Sequence, residues 1–263
     1  MSDDGKNRWR SRTRAVRAGL DRSPHGETSE ALFLNSGFVY DTAEQAEARF
    51  LGDDEGFIYS RYGNPTVAMF EERLAQLDGS EACFATASGM AAVFAALLCQ
   101  LQSGDHVVAS RALFGSCHYI LTQLLPRYGI EVDLVDGADL SQWQDKIKDG
   151  TKVVFFETPS NPTLDLIDLK AVIDLAHDVD ARVVVDNVFS TPILQRPADY
   201  GADVVVYSGT KHMDGQGRIL GGAVLSSQAF ITDHLMNFMR HTGPAMSAFN
   251  AWILLKGLET MEL

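Results

Sequence analysis

Residues 202–218 read ADVVVYSGTKHMDGQGR, and the change of character within that stretch decides the fold. Val204–Val206 are apolar on successive residues, whereas a strand with one wet face would alternate; the run predicts a strand buried on both faces, as in a parallel sheet covered by helices. It passes directly into a polar, glycine-rich loop carrying Lys211. Six further runs share the pattern: ACFATAS (82–88), HVVASR (106–111), IEVDLVD (130–136), TKVVFFET (151–158), ARVVVDN (181–187) and GGAVLSS (221–227). Amphipathic segments such as Leu169–His177 lie between them, with apolar positions at helical spacing. Strand, helix, strand alternation predicts an α/β protein with a seven-stranded, mostly parallel sheet flanked by helices and wound by right-handed crossovers. Ligands on such sheets sit at the carboxyl ends of the strands.

Composition narrows the function. The chain has 263 residues, 46% hydrophobic and 22% charged, enough to bury a substantial core and unlike a disordered or membrane-embedded protein. Its longest apolar runs, such as Met90–Leu98, are too short to span a bilayer, so no transmembrane segment is expected. A net charge of −13 disfavours binding to nucleic acid or anionic membranes and favours a small-molecule substrate. Cys83, Cys99 and Cys117 are odd in number and make neither a CxxC pair nor a zinc pattern. They predict a reducing compartment, no metal and a packing role. Basic residues from Lys6 to Arg17 are followed by no apolar signal core, which points to the cytoplasm. Residues 1–28 are polar and read as a mobile arm with one short helix. The stretch SAFNAWILLKGLETMEL (247–263) is a long amphipathic helical pattern with no stop signal, so further sequence is expected beyond it.

Three elements at strand ends carry chemistry. Lys211 follows a buried strand, where shielding from water and neighbouring cations make an amine nucleophilic toward an aldehyde; taken alone, it reads more readily as a solvated loop lysine forming surface ion pairs. Asp186 ends the buried run ARVVVD, where a carboxylate is costly unless paired, and a turn cap is the plain alternative. Thr86–Met90, TASGM, joins a strand to an Ala-rich helix, whose first N–H groups and dipole suit a phosphate. There Ser88 adds a hydroxyl and Gly89 permits close approach, with Ser208 and Thr210 positioned to complete the cradle. TASGM is not the glycine fingerprint of a nicotinamide site.

The stretches YSRYGNPT (59–66), ATASGM (85–90), ETPSNP (157–162), DNVFSTP (186–192) and YSGTKH (207–212) stand in the order, and near the spacing, of the Cys/Met-metabolism enzymes dependent on pyridoxal 5′-phosphate (PLP). The resemblance runs from about residue 30 to the end of the chain. It implies a PLP-dependent transferase-like large domain, divided into an N-terminal arm and interface segment (1–60), a PLP-binding α/β domain (61–245) and the start of an inter-domain helix (246–263). The small C-terminal domain, which in the family binds the substrate α-carboxylate, would be missing.

By the same resemblance Lys211 holds PLP as a Schiff base and shuttles protons, Asp186 faces the pyridine nitrogen, and Asn161 lies near the phenolic oxygen. Gly89, Met90, Ser208 and Thr210 match phosphate ligands. Tyr59 and Arg61 match the pair that reaches a neighbouring subunit's phosphate, implying a homodimer with shared active sites and a homotetramer built from it. Phe114 stands where most of the family has a tyrosine stacked on the ring; it can stack but has no hydroxyl for proton transfer. The implied reaction is γ-replacement on O-succinylhomoserine, or another O-acylhomoserine, with sulfide to give homocysteine in methionine biosynthesis. Cystathionine γ-synthesis, γ-elimination and a catalytically silent PLP-binding fragment are the alternatives.

Overall fold

The computed structural model describes residues 9–263. The seven apolar runs form seven strands: β1 (Ala82–Thr86), β2 (His106–Ser110), β3 (Glu131–Val135), β4 (Thr151–Glu157), β5 (Arg182–Asp186), β6 (Val204–Ser208) and β7 (Gly222–Ser226). They join one sheet in the order β1-β7-β6-β5-β4-β2-β3. The five strands from β6 to β3 are parallel, while β7 pairs antiparallel with both β6 and β1. Strand β7 alone therefore runs against the other six. Its reversal follows from its link: residues 209–221 contain one helical turn and no crossover helix long enough to return the chain for a parallel pairing.

Helices cover both faces. Their starts are set by short polar caps: Thr42 before α2 (Ala43–Leu51), Asn64 with Pro65 before α3 (Pro65–Asp78), Ser88 before α4 (Gly89–Leu98) and Asp168 before α7 (Leu169–His177). Between α4 and α7 lie the short α5 (Gly115–Tyr119) and α6 (Leu140–Lys146). On one face Phe84, Val107, Phe155, Val184, Val206 and Val224 pack against α4 and residues 117–125. On the other, Ala85, Val205, Tyr207 and Leu225 meet α3 and the helix Ala248–Leu258, while Val154, Phe156 and Val185 meet α6 and α7. Neighbouring strand residues thus feed opposite cores, which is why the valine runs show no alternation.

The expected mobile arm falls partly on residues 1–8, outside the described residues. The remainder is docked: α1 (Ser11–Arg17) buries Ala15 against α3, and Arg73 Nε donates to the carbonyl of Ala18 at 2.8 Å. Gly19 has φ +66° and approaches Met69 O so closely that a Cβ would sit 2.7 Å away. Small residues spaced for contact, Ala15, Ala18 and Gly19, hold a segment whose polarity suggested freedom. The final amphipathic pattern is helical over Ala248–Leu258, then ends in turns.

Candidate active site

Because six strands share a direction, the carboxyl ends of β1, β4, β5 and β6 bring Thr86, Glu157, Asp186 and Ser208 to one edge of the sheet. A cleft of about 240 Å³ opens there. Nine of the eleven site residues expected from sequence line it: Ser88, Gly89, Met90, Phe114, Asn161, Asp186, Ser208, Thr210 and Lys211.

One wall is the start of α4. Ser88 Oγ accepts from Ala91 N at 3.1 Å, and helix geometry leaves the N–H groups of Gly89 and Met90 without partners inside the helix. A Cβ on Gly89 would stand 2.6 Å from Ser208 Cβ, so only glycine lets the helix start close on β6. The Ser208 hydroxyl lies at this junction. That of Thr210 accepts from the Gly221 N–H at 3.0 Å and lies 3.3 Å from the Gly221 carbonyl, so its O–H donates to an anion by turning away from that carbonyl.

The inner wall is acidic. Asp186 is 6% exposed and Glu157 3%, and the two face each other as the last rung of the β4–β5 pairing. Val188 N–H donates to Asp186 Oδ1 at 3.1 Å, and Phe114 N–H donates to Glu157 Oε2 at 2.9 Å. Burial pushes the Asp186 carboxyl up to about 7, with the Glu157 charge adding to the effect. Burial also raises Glu157, against hydrogen bonding from the Phe114 and Asn161 backbones. Neither carboxylate has a cationic partner within 4 Å among the described residues.

Lys211 breaks a helical turn spanning Gly209–Met213 with φ −92° and ψ −119°. Its side chain is exposed at the cleft rim, on the solvated side of the sequence reading and not the shielded one, because the loop that follows lies on the surface. No carboxylate lies within ion-pair distance of it among the described residues. The Phe114 ring is 40% exposed and faces the same space. Cys117 also lines the cleft but is buried, and burial pushes its thiol well up, away from the reactive thiolate.

Tyr59 and Arg61 are not among the lining residues. Arg61 stacks over the rings of Tyr59 and Tyr62, at 5.3 and 4.9 Å from their centroids, and donates to the carbonyl of Arg240. The one lining carboxylate missed in the sequence is Glu157. The signal was present: VVFFE ends a buried strand in a carboxylate just as VVVD does.

The cleft meets the demands of PLP. The α4 start and Ser208 offer an anion seat, Lys211 a primary amine, Phe114 a flat apolar face, and the two buried carboxylates a place where a protonated ring nitrogen relieves unpaired negative charge.

Comparison with known proteins agrees. The profile of the family described as Cys/Met metabolism PLP-dependent enzyme matches residues 12–263. Over 251 residues, 95% of this chain, it is 57% identical to an O-succinylhomoserine sulfhydrylase of Mycobacterium tuberculosis and 48% identical to one of Pseudomonas aeruginosa. It spans 62% of the length of each. Among solved structures, a Campylobacter jejuni chain described as an O-acetylhomoserine (thiol)-lyase with N′-pyridoxyl-lysine-5′-monophosphate superposes with a TM-score of 0.93 at 30% identity, covering 97% of this chain and 71% of that one. The chain belongs to the Cys/Met-metabolism family of PLP-dependent enzymes, and its cofactor is pyridoxal 5′-phosphate.

Proposed function

We propose that the chain is the cofactor-binding part of an O-succinylhomoserine sulfhydrylase of methionine biosynthesis, working in the cytoplasm. The reaction replaces the γ-succinate of O-succinylhomoserine with sulfide: a Cγ–O bond breaks, a Cγ–S bond forms, succinate leaves and homocysteine results, with no net oxidation. The observation that carries this reading is the convergence of Lys211, Asp186 and the α4 start on one cleft, in a chain 57% identical to a sulfhydrylase of that name.

PLP, when bound, supplies an electron sink for charge developing on the amino acid. The protein's part is positioning and proton transfer. The N–H groups of Gly89 and Met90, with the hydroxyls of Ser88, Ser208 and Thr210, bind the phosphate. Asp186 would keep the ring nitrogen protonated, Asn161 would hydrogen-bond the phenolic oxygen, and Phe114 would offer the ring an apolar face. Lys211 would hold the cofactor and, as a free amine, would take the Cα proton, hand it on, and only then take a Cβ proton. Lacking a hydroxyl, Phe114 takes no part in these transfers, so Lys211 handles both. Tyr59 and Arg61, outside the cleft, serve the phosphate of a second copy, making the active site a property of a dimer that pairs into a tetramer.

Reduction of the PLP-loaded chain with borohydride, followed by peptide mapping, should place the pyridoxyl group on Lys211, and Lys211→Ala should abolish both the label and turnover. A label on another lysine overturns the assignment. Supplying succinyl-, acetyl- and phosphohomoserine with sulfide or cysteine tests the reaction. Homocysteine from the succinyl ester and sulfide supports it; cystathionine or an oxo acid redirects it to a synthase or lyase. Colour without any product marks a catalytically silent PLP-binding protein.

A further inference from the structure

Glu157 has no part in the scheme above, yet like Asp186 it is buried, at the end of the neighbouring strand. A second carboxylate in a cleft already holding one is costly, because burial and like charge both oppose ionisation. What the carboxylate does there is visible in its contacts. Oε2 accepts the backbone N–H of Phe114 at 2.9 Å, and the Asn161 backbone stands near enough to the carboxylate to oppose the rise in its pKa.

These two residues reach the cleft on separate loops, one after β2 and one after β4. Phe114 caps the five-residue α5 without a side-chain cap of its own, so a tether on its N–H fixes where the chain turns. Asn161 lies in the loop Thr158–Ile167, outside any helix or strand. Glu157, on the rigid end of β4, is the element they share.

We propose that Glu157 is a positioning residue: its carboxylate holds the Phe114 backbone N–H and stands beside the Asn161 backbone, so that the apolar ring and the amide are set together for one cofactor. The inference rests on the PLP reading above and assigns Glu157 no contact with reacting atoms. Glu157→Gln keeps an acceptor oxygen at the same reach, whereas Glu157→Ala leaves the Phe114 N–H without its partner. Loss of such a partner corresponds to about tenfold or more in an equilibrium that depends on it.

The test measures PLP affinity and the visible circular dichroism of bound PLP for wild type, Glu157→Gln, Glu157→Ala, Phe114→Ala and the Glu157→Ala/Phe114→Ala double variant, with the melting temperature of each apoprotein. Glu157→Ala should weaken PLP binding about tenfold and alter the dichroic band, and Glu157→Gln should restore both. The double variant should bind about as weakly as Phe114→Ala alone, because removing the tethered ring removes most of what the tether positions. Should Glu157→Ala fail to fold, failure of Glu157→Gln to reproduce the wild-type affinity and band is by itself decisive against the proposal. Additive losses in the double variant, or a Glu157→Ala protein indistinguishable from wild type, overturn it while leaving the cofactor reading intact. A wild-type chain that takes up no PLP overturns both.

Discussion

At Asp186 an aspartate otherwise unremarkable in sequence is set apart by its neighbours. Burial and the Glu157 charge move its pKa from 3.8 to about 7. In the apoprotein between those pH values, the folded chain keeps a proton on Asp186 that the unfolded chain releases. Its contribution is therefore fully present below pH 4 and is lost as pH rises through 7, an effect on the order of a few kcal/mol. Urea titrations of the PLP-free protein at pH 4 to 7 should show stability falling with pH, and Asp186→Asn should flatten that fall. Glu71, pushed up to about 7 by burial beside Ala85, leaves a residual slope of the same sign. An unchanged slope in Asp186→Asn argues against an unpaired buried carboxylate. Asp186 was legible because a charge closing a run of valines is anomalous on sight. Glu157 closes an equally apolar run, but it opens the loop ETPSNP, where a charge beside a turn is ordinary. Lys211 was legible as a site lysine, and its polar, glycine-rich surroundings already allowed for its exposure.

Among the elements, all seven strands could be read from their apolar runs, but not their order or the direction of β7. A strand buried on both faces has the same pattern whichever way it runs; only the absence of a helix-length connection after β6 betrays the reversal. Docking of α1 was also hidden, because it rests on small residues, Ala15, Ala18 and Gly19, and not on an apolar stripe. Close approach has consequences elsewhere. In the helix Ala248–Leu258, Gly257 presses on the turn that bears Lys211: a Cβ there would stand 2.0 Å from Met213 O. The clash is with backbone, so no side chain can swing aside. Gly257→Ala should cost about 1–3 kcal/mol in denaturant unfolding and lower the yield of pyridoxyl label on Lys211. Full stability with full labelling would mean the helix shifts without moving the turn.

For the whole molecule, one buried knot joins parts distant in sequence. Glu30 hydrogen-bonds to Arg73 on α3 and to Lys256 on the last helix, and Trp252 Nε1 donates to the Glu30 carbonyl at 3.2 Å. Burial alone would raise the Glu30 carboxyl, but the bonds from Lys256 and Arg73 outweigh it and lower the pKa from 4.5 to about 2. The stabilisation is present above pH 4.5 and disappears as pH falls toward 2. Glu30→Gln should leave Arg73, which is fully buried, short of its anion and cost about 3 kcal/mol at pH 7, with the difference from wild type closing in acid. Equal unfolding midpoints at pH 7 would contradict this. Nothing in the sequence announced the knot, because its three charges belong to segments with no shared motif. The sheet's polarity also separates the chain into a working rim and a quiet one. At the quiet rim the Lys148–Gly150 turn enters the amino end of β4, and Gly150, at φ +91°, has open space around its Cβ position. A fluorophore or surface anchor grafted on that turn should report on, or immobilise, the protein without crowding the chemistry on the far side.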